Sequence, residues 1–299
     1  MNNQVKEPRM LRRVTTSVIA AAALIGVAAA PANALIFGAN EGPESERGAV
    51  VRVHMLTEGG VAECTGTAVS AQWVLTAQHC IEGLATDDQG RISGMITTGE
   101  GALGSESVRS HQVNAVANAY EADNANGDVA LIHVTEPMDV TPAEINYGDV
   151  VGQPGTAYGW STLGTGATGT LPGTAINVEG KDVHPLYEPS QAYLTTSTRP
   201  AQLQQGDSGG PLFVDGKVAG VLSVGVGSLF NPVEISATYM HAKLEGLQGW
   251  VDATVATNPD AEPGELPEVT PGGIGQLIPQ LPIVPGSPEL IDIVGIDFL

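Results

Sequence analysis

Three short stretches of this chain carry residue types that together could open a carbonyl compound by nucleophilic attack. The first is Gly206-Asp207-Ser208-Gly209-Gly210-Pro211. Its glycines allow backbone angles that a side chain forbids. A tight turn there could aim the Ser208 hydroxyl outward and point successive N–H groups into one small space, a nest able to hold an oxyanion. The same hexapeptide is also a good turn-rich hairpin loop, because Gly, Asp, Ser and Pro are turn formers. The second stretch, Thr76-Ala-Gln-His79-Cys80, offers an imidazole that titrates near neutral pH. A hydroxyl is a poor nucleophile until such a base takes its proton. The third, Gly127-Asp128-Val-Ala-Leu131, offers a carboxylate that could fix the imidazole tautomer and stabilise the imidazolium.

These residues need rigid elements behind them, and the pattern around them is that of strands. Residues 49–55 and the run Val129–Val134 read as strands, with His54 on an edge or exposed and His133 a satisfied core histidine. Residues 84–110 read as a polar, Gly-rich surface loop and a hairpin, and the acids Asp87 and Asp88 fit no defined calcium spacing. Pro137 to Pro142 reads as a linker between two similar halves, and residues 161–173 as a loop. Strands are expected at Ile176–Val178 and Tyr193–Thr195, and His111 and His184 stand in no motif. Leu212–Val214 and Lys217–Leu222, joined by Asp215-Gly216, form a hairpin pattern. Apolar spacing at Leu244, Leu247, Trp250 and Val251 predicts a closing amphipathic helix over residues 241–251.

In the order His79, Asp128, Ser208, the three stretches resemble the trypsin-like (chymotrypsin-fold) serine endopeptidases, and the chain looks like a secreted bacterial member. The resemblance covers roughly residues 35–253 of an expected protease domain over 35–255, and within it Cys64–Cys80 resembles the family's histidine loop, with Thr65 in place of a glycine and Gln78 in place of an alanine. It implies an all-β fold: two six-stranded antiparallel β-barrels with the active site between them, and a C-terminal helix. It further implies hydrolysis of peptide bonds in proteins or peptides through an acyl-enzyme, without a cofactor or metal. His79, Asp128 and Ser208 would be the triad, and the N–H groups of Gly206 and Ser208 the oxyanion hole. Thr156–Trp160 resembles the first strand of the second half, whose glycine–tryptophan pair packs near the oxyanion side. By the same resemblance Leu35 opens the mature chain, and its α-amino group pairs with Asp207. Gln202 falls at the base of the substrate pocket, where a neutral amide has no charge for Arg or Lys. Gln204 replaces a pocket cysteine, and Glu234 could reach in from the opposite wall. Ser223-Val224-Gly225 matches the segment that pairs with extended substrate, with Val224 in place of the usual tryptophan. A protease-fold binding or envelope-associated protein with little activity is the alternative reading.

Residues 1–34 look like a secretory signal peptide: a basic start (Lys6, Arg9, Arg12, Arg13), an apolar run from Val14 to Ala30, and the site Ala32-Asn33-Ala34. Its removal takes four basic and one acidic residue, leaving 8 against 32 and a net charge of −24. That balance disfavours nucleic acid and anionic membranes. An exported chain with only Cys64 and Cys80 is expected to bridge them, a loop closure of about 3 kcal/mol in the chain-entropy account. Two cysteines do not make a tetrahedral zinc site alone. Residues 256–299 hold eight prolines, seven acids and no base. They read as a disordered acidic tail, with docking to the cell envelope or to the protein's own surface as the alternative.

Overall fold

A computed structural model describes residues 42–119, 127–160, 169–198, 201, 206–226, 238–257 and 296–298. The first half is a closed antiparallel barrel of β1 (Val50–Thr57), β2 (Gly60–Ala68), β3 (Trp73–Thr76), β4 (Gly94–Thr98), β5 (Arg109–Asn118) and β6 (Ala130–Val134), in the order β1-β2-β3-β6-β5-β4. Pairing of β4 back onto β1, from Arg52 opposite Thr97 to Met55 opposite Gly94, shuts it. Alternate residues fill its interior, among them Val51, Val53, Met55, Val74, Ile96, Val113 and Ile132.

The second half uses β7 (Pro154–Tyr158), β8 (Gly173–Val183), β9 (Gln191–Ser197), β10 (Pro211–Val214), β11 (Lys217–Val226) and β12 (Thr238–Lys243), ordered β10-β7-β8-β9-β12-β11 and closed by β10 on β11. The β10–β11 hairpin turns at Asp215 and Gly216, both with positive φ (52° and 75°), the backbone twist that a two-residue turn between twisted strands requires. The two expected six-stranded barrels are therefore present. A third apolar cluster joins them, with Val50, Trp73 and Leu131 from the first half against Tyr158, Phe213 and Val221 from the second.

Two expectations are corrected, and the tail, left open between disorder and docking, gains one element. The closing helix, α2, is Gln248–Val255 and not 241–251 (α1 is the single turn Glu44–Arg47). Gly246 adopts a left-handed φ of 84°, which breaks the spacing, and His241 lies instead in β12, paired on both sides. His54 is neither exposed nor on an edge, because β1 bonds to β2 and β4 at once. Burial, then the Arg52 charge, pushes its pKa down to about 4. The Pro-rich tail contributes an element: Ile296–Phe298 forms β13, antiparallel to Val224–Val226 of β11. Residues 258–295 lie outside the described residues, as do the leader 1–34 and Glu234. Among the described residues no helix is long and apolar enough to cross a membrane.

Candidate active site

His79 sits in a 3₁₀ turn, Gln78–Ile81, directly after β3, and Asp128 sits in the turn that leads into β6. Because β3 and β6 are neighbours, with Thr76 opposite Ala130, the two loops leave the barrel side by side. The Asp128 carboxylate is fully buried and accepts hydrogen bonds on both oxygens. Its Oδ1 takes the His79 backbone N–H at 2.9 Å, and its Oδ2 takes His79 Nδ1 at 2.7 Å and the Ser223 hydroxyl at 2.5 Å. Burial alone would raise the pKa of Asp128, but the His79 charge and these bonds hold it below the usual carboxylate value. For His79, burial opposes the charged form. The Asp128 charge, the hydrogen bond to it and Glu82 outweigh that, so the imidazole pKa lies above its ordinary value.

Cys64 at the inner part of β2 and Cys80 in the histidine turn form a disulfide with Cα atoms 6.2 Å apart. Their sulfurs and the His79 ring crowd within 4.8 Å, but the sulfurs are bonded to each other and offer no thiolate to a metal.

Ser208 belongs to the second half but is fastened to the first. Thr65 of β2 does most of this. Its N–H donates to the Ser208 carbonyl at 2.7 Å, and its Oγ1 donates to the Gly206 carbonyl at 2.8 Å while accepting the Trp160 N–H at 2.7 Å. With the carbonyls of 206 and 208 held on that side, the loop can present N–H groups on the other. Gly209 is obligatory here: its φ is 77°, and a Cβ would lie 2.1 Å from Thr76 Oγ1 and 2.4 Å from the Thr65 carbonyl. The serine loop thus abuts the residues that lead into His79. Asp207 is fully buried against Gly159, where a Cβ would meet its Oδ1 at 2.1 Å. Trp160 bonds the Val50 carbonyl through its indole N–H and carries Arg52 3.6 Å above its ring.

Of the other residues singled out in the sequence, Leu35, Gln202 and Gln204 lie outside the described residues. Ser223, Val224 and Gly225 lie on β11. The Ser223 hydroxyl is turned inward to Asp128, and Val224 packs against Ala192 and Met240. Gln78 is buried, and its amide bonds Glu82 at 3.3 Å. Asp87 uses its oxygens on the N–H groups of Gln89 and Arg91 and on the Arg91 guanidinium. His133 bonds Asn114 at 2.6 Å and meets the Trp73 ring edge-on. His184 has a role that sequence reading missed. It lies 2.7 Å from Ser223 Oγ, behind Asp128. The only available signal was that it is a histidine in a chain with six.

The Trypsin family profile matches residues 36–236. A Corynebacterium glutamicum protein named as a peptidase is 30% identical over 228 residues, covering 75% of this chain and 70% of that relative. A trypsin of Simulium vittatum is 28% identical, covering 70% of this chain and 92% of the relative. Mouse neuropsin superposes with a TM-score of 0.53 at 21% identity, over 73% of this chain and 99% of that one. Human heparin binding protein gives 0.54 at 18%, over 76% and 99%. With its two barrels and the profile matched across most of both, this chain belongs to the trypsin family of serine-type endopeptidases.

Proposed function

We propose that the chain is a secreted endopeptidase that cleaves proteins or peptides through an acyl-enzyme formed on Ser208. The observation that carries this reading is the 2.7 Å contact between His79 Nδ1 and the buried Asp128 carboxylate. A donated Nδ1–H leaves Nε2 as the basic nitrogen. Ser208 Oγ attacks the peptide carbonyl and gives its proton to His79 Nε2. The N–H groups of Gly206 and Ser208 stabilise the oxyanion, about 2.7–4 kcal/mol for one such donor. Collapse expels the amine, which takes the proton from His79. Water then attacks the ester by the same route and restores Ser208. The test is labelling by a fluorophosphonate together with cleavage of a peptide library read by mass spectrometry. Absence of both labelling and cleavage with purified protein would overturn the reading.

Export is proposed from the leader pattern in residues 1–34 and is supported by the disulfide, a bond that persists in oxidising compartments. The pocket is proposed to favour uncharged side chains because Gln202 is neutral, with Ser223, Val224 and Gly225 along its rim. The net charge of −21 argues against nucleic acid as a partner. Signal removal alone is proposed, from the resemblance, to free the Leu35 ammonium for Asp207, which is fully buried. Asp207→Asn, or one extra residue before Leu35, is then expected to cut turnover while leaving the circular dichroism unchanged. Full activity of the extended form would refute direct activation.

A further inference from the structure

The segment of β11 that lies beside the proposed site already carries a strand of the same chain. Val224, Gly225 and Val226 stand opposite Phe298, Asp297 and Ile296, on the side of β11 away from β12. The ladder is antiparallel, so the tail runs toward Ser223, the residue whose hydroxyl bonds Asp128. Its partners are the Val224 and Gly225 that the pocket reading gives to substrate. We propose that residues 296–298 occupy the β11 edge as a tethered, substrate-like strand and compete with peptide substrates for it. This rests on the peptidase reading above. The tail carries seven acids and no base, and the whole chain is strongly acidic, so charge opposes the docking. Main-chain hydrogen bonds to the edge must hold it, as in other strand-addition complexes. Salt therefore does not release it.

Because the strand belongs to the same chain as the edge, it meets that edge at an effective concentration of about 1 mM. If the strand alone binds with a Kd of about 0.1 mM, substrates meet an apparent KM about tenfold too high. The test keeps the full chain and replaces Asp297 and Phe298 together by proline, so that one N–H facing β11 is lost whichever residue of the pair supplies it. The expected result is a KM about tenfold lower with kcat unchanged, and faster amide exchange within Val224–Val226. A free peptide of residues 291–299 should inhibit the double variant competitively. Equal KM and equal exchange in the two proteins would overturn the proposal. So would relief of inhibition on dilution, which would mean that a second copy supplies the strand. Absence of fluorophosphonate labelling in both proteins would instead sink the peptidase reading, and this one with it.

A separate observation concerns His184, which is 1% exposed. Its Nδ1 accepts the Leu186 N–H at 3.2 Å, so Nδ1 carries no proton and Nε2 does. An ionised Asp128 only accepts, so the single Ser223 proton points to Asp128 and Ser223 Oγ must accept from His184 Nε2–H at 2.7 Å. The polarity of the whole chain is thereby fixed: Leu186 N–H to His184, His184 to Ser223, Ser223 to Asp128, with His79 donating from the other side. We infer that His184 is a positioning residue that locks the Ser223 hydroxyl onto Asp128. The groups facing it are Ser223, Asp128 and His79, with the Tyr187 ring 5.0 Å away edge-on and Glu82 bonded to the Tyr187 hydroxyl. Burial holds His184 below the usual imidazole pKa, consistent with a neutral ring.

His184→Leu frees the Ser223 hydroxyl and leaves Asp128 one donor poorer and more basic. The expected result is a kcat about tenfold lower at unchanged KM, with the acid limb of the rate profile displaced upward because His79 then faces a more basic partner. His184→Gln, which keeps an N–H donor, should recover most of the loss. Nitrogen NMR of the unaltered protein should report a neutral Nε2–H ring at position 184. An Nδ1–H tautomer, an unmoved acid limb in His184→Leu, or no recovery with Gln would each overturn the assignment.

Discussion

Replacing Ser208 by alanine is expected to lower kcat by about a millionfold, the scale set by removing the nucleophile from a unit that acts together. The fold should not notice. The backbone holds the loop: Thr65 N–H to the Ser208 carbonyl, Thr65 Oγ1 to the Gly206 carbonyl, Gly209 N–H to the Leu222 carbonyl and Leu222 N–H to the Gly210 carbonyl. None of these passes through the Ser208 side chain. Thermal melting and circular dichroism should therefore match the parent, KM should change little, and fluorophosphonate labelling should vanish. A variant that keeps more than a few per cent of the parent's turnover would remove Ser208 from the mechanism.

Asp128→Asn is expected to cost about 10⁴ in kcat and to move the pH dependence as well. Asp128 Oδ2 receives two donors, His79 Nδ1–H and the Ser223 hydroxyl. An amide N–H turned toward them donates to Nδ1, moves the ring proton to Nε2, and leaves no lone pair to accept the serine proton. An amide turned the other way confronts the His79 backbone N–H instead. The pH argument follows from the causes of the His79 shift. Activity needs a neutral His79, and in the parent its pKa is raised, so turnover should fall as pH drops through a value above the ordinary imidazole pKa of about 6.5. The variant loses the charge and the hydrogen bond that raise it and keeps the burial that lowers it. Its residual activity should therefore persist to lower pH than the parent's. Stopped assays of kcat/KM across pH 5 to pH 9 would show it, and an acid limb that does not move would contradict the role given to Asp128.

Much of this site could be read from sequence because its local chemistry is written in adjacent residues. The glycines of 206–210, the Cys80 that follows His79 and the Asp215-Gly216 turn each announce a backbone conformation within a few positions. What escaped was non-local. His184 reaches Ser223 only because β8, β9, β12 and β11 lie in sequence across one sheet. Thr65 looked like a minor departure from a glycine, and its clamp on the serine loop spans 141 residues. His54 was misjudged because nothing in its own strand tells that a second neighbour, β4, closes over it. Gly246 displaced the final helix by a backbone angle that apolar spacing does not record. The strand at Ile296–Phe298 was hidden by composition, since a proline-rich tail argues against structure along most of its length and a ladder needs only three residues.

The Thr65 clamp also bears on how activity arises while the chain is being made. His79 and Asp128 belong to the barrel that leaves the ribosome first, and domains fold in that order. That barrel contains the proposed base and its carboxylate but not the proposed nucleophile. Thr65 has two carbonyls to hold only when the second barrel has closed and docked on the shared cluster around Trp73 and Phe213. On the proposed mechanism a nascent or half-folded chain is chemically silent, because the nucleophile reaches its base only at docking. On that mechanism docking, wired through one threonine, is one precondition for hydrolysis, and release of the Leu35 amino group is a second.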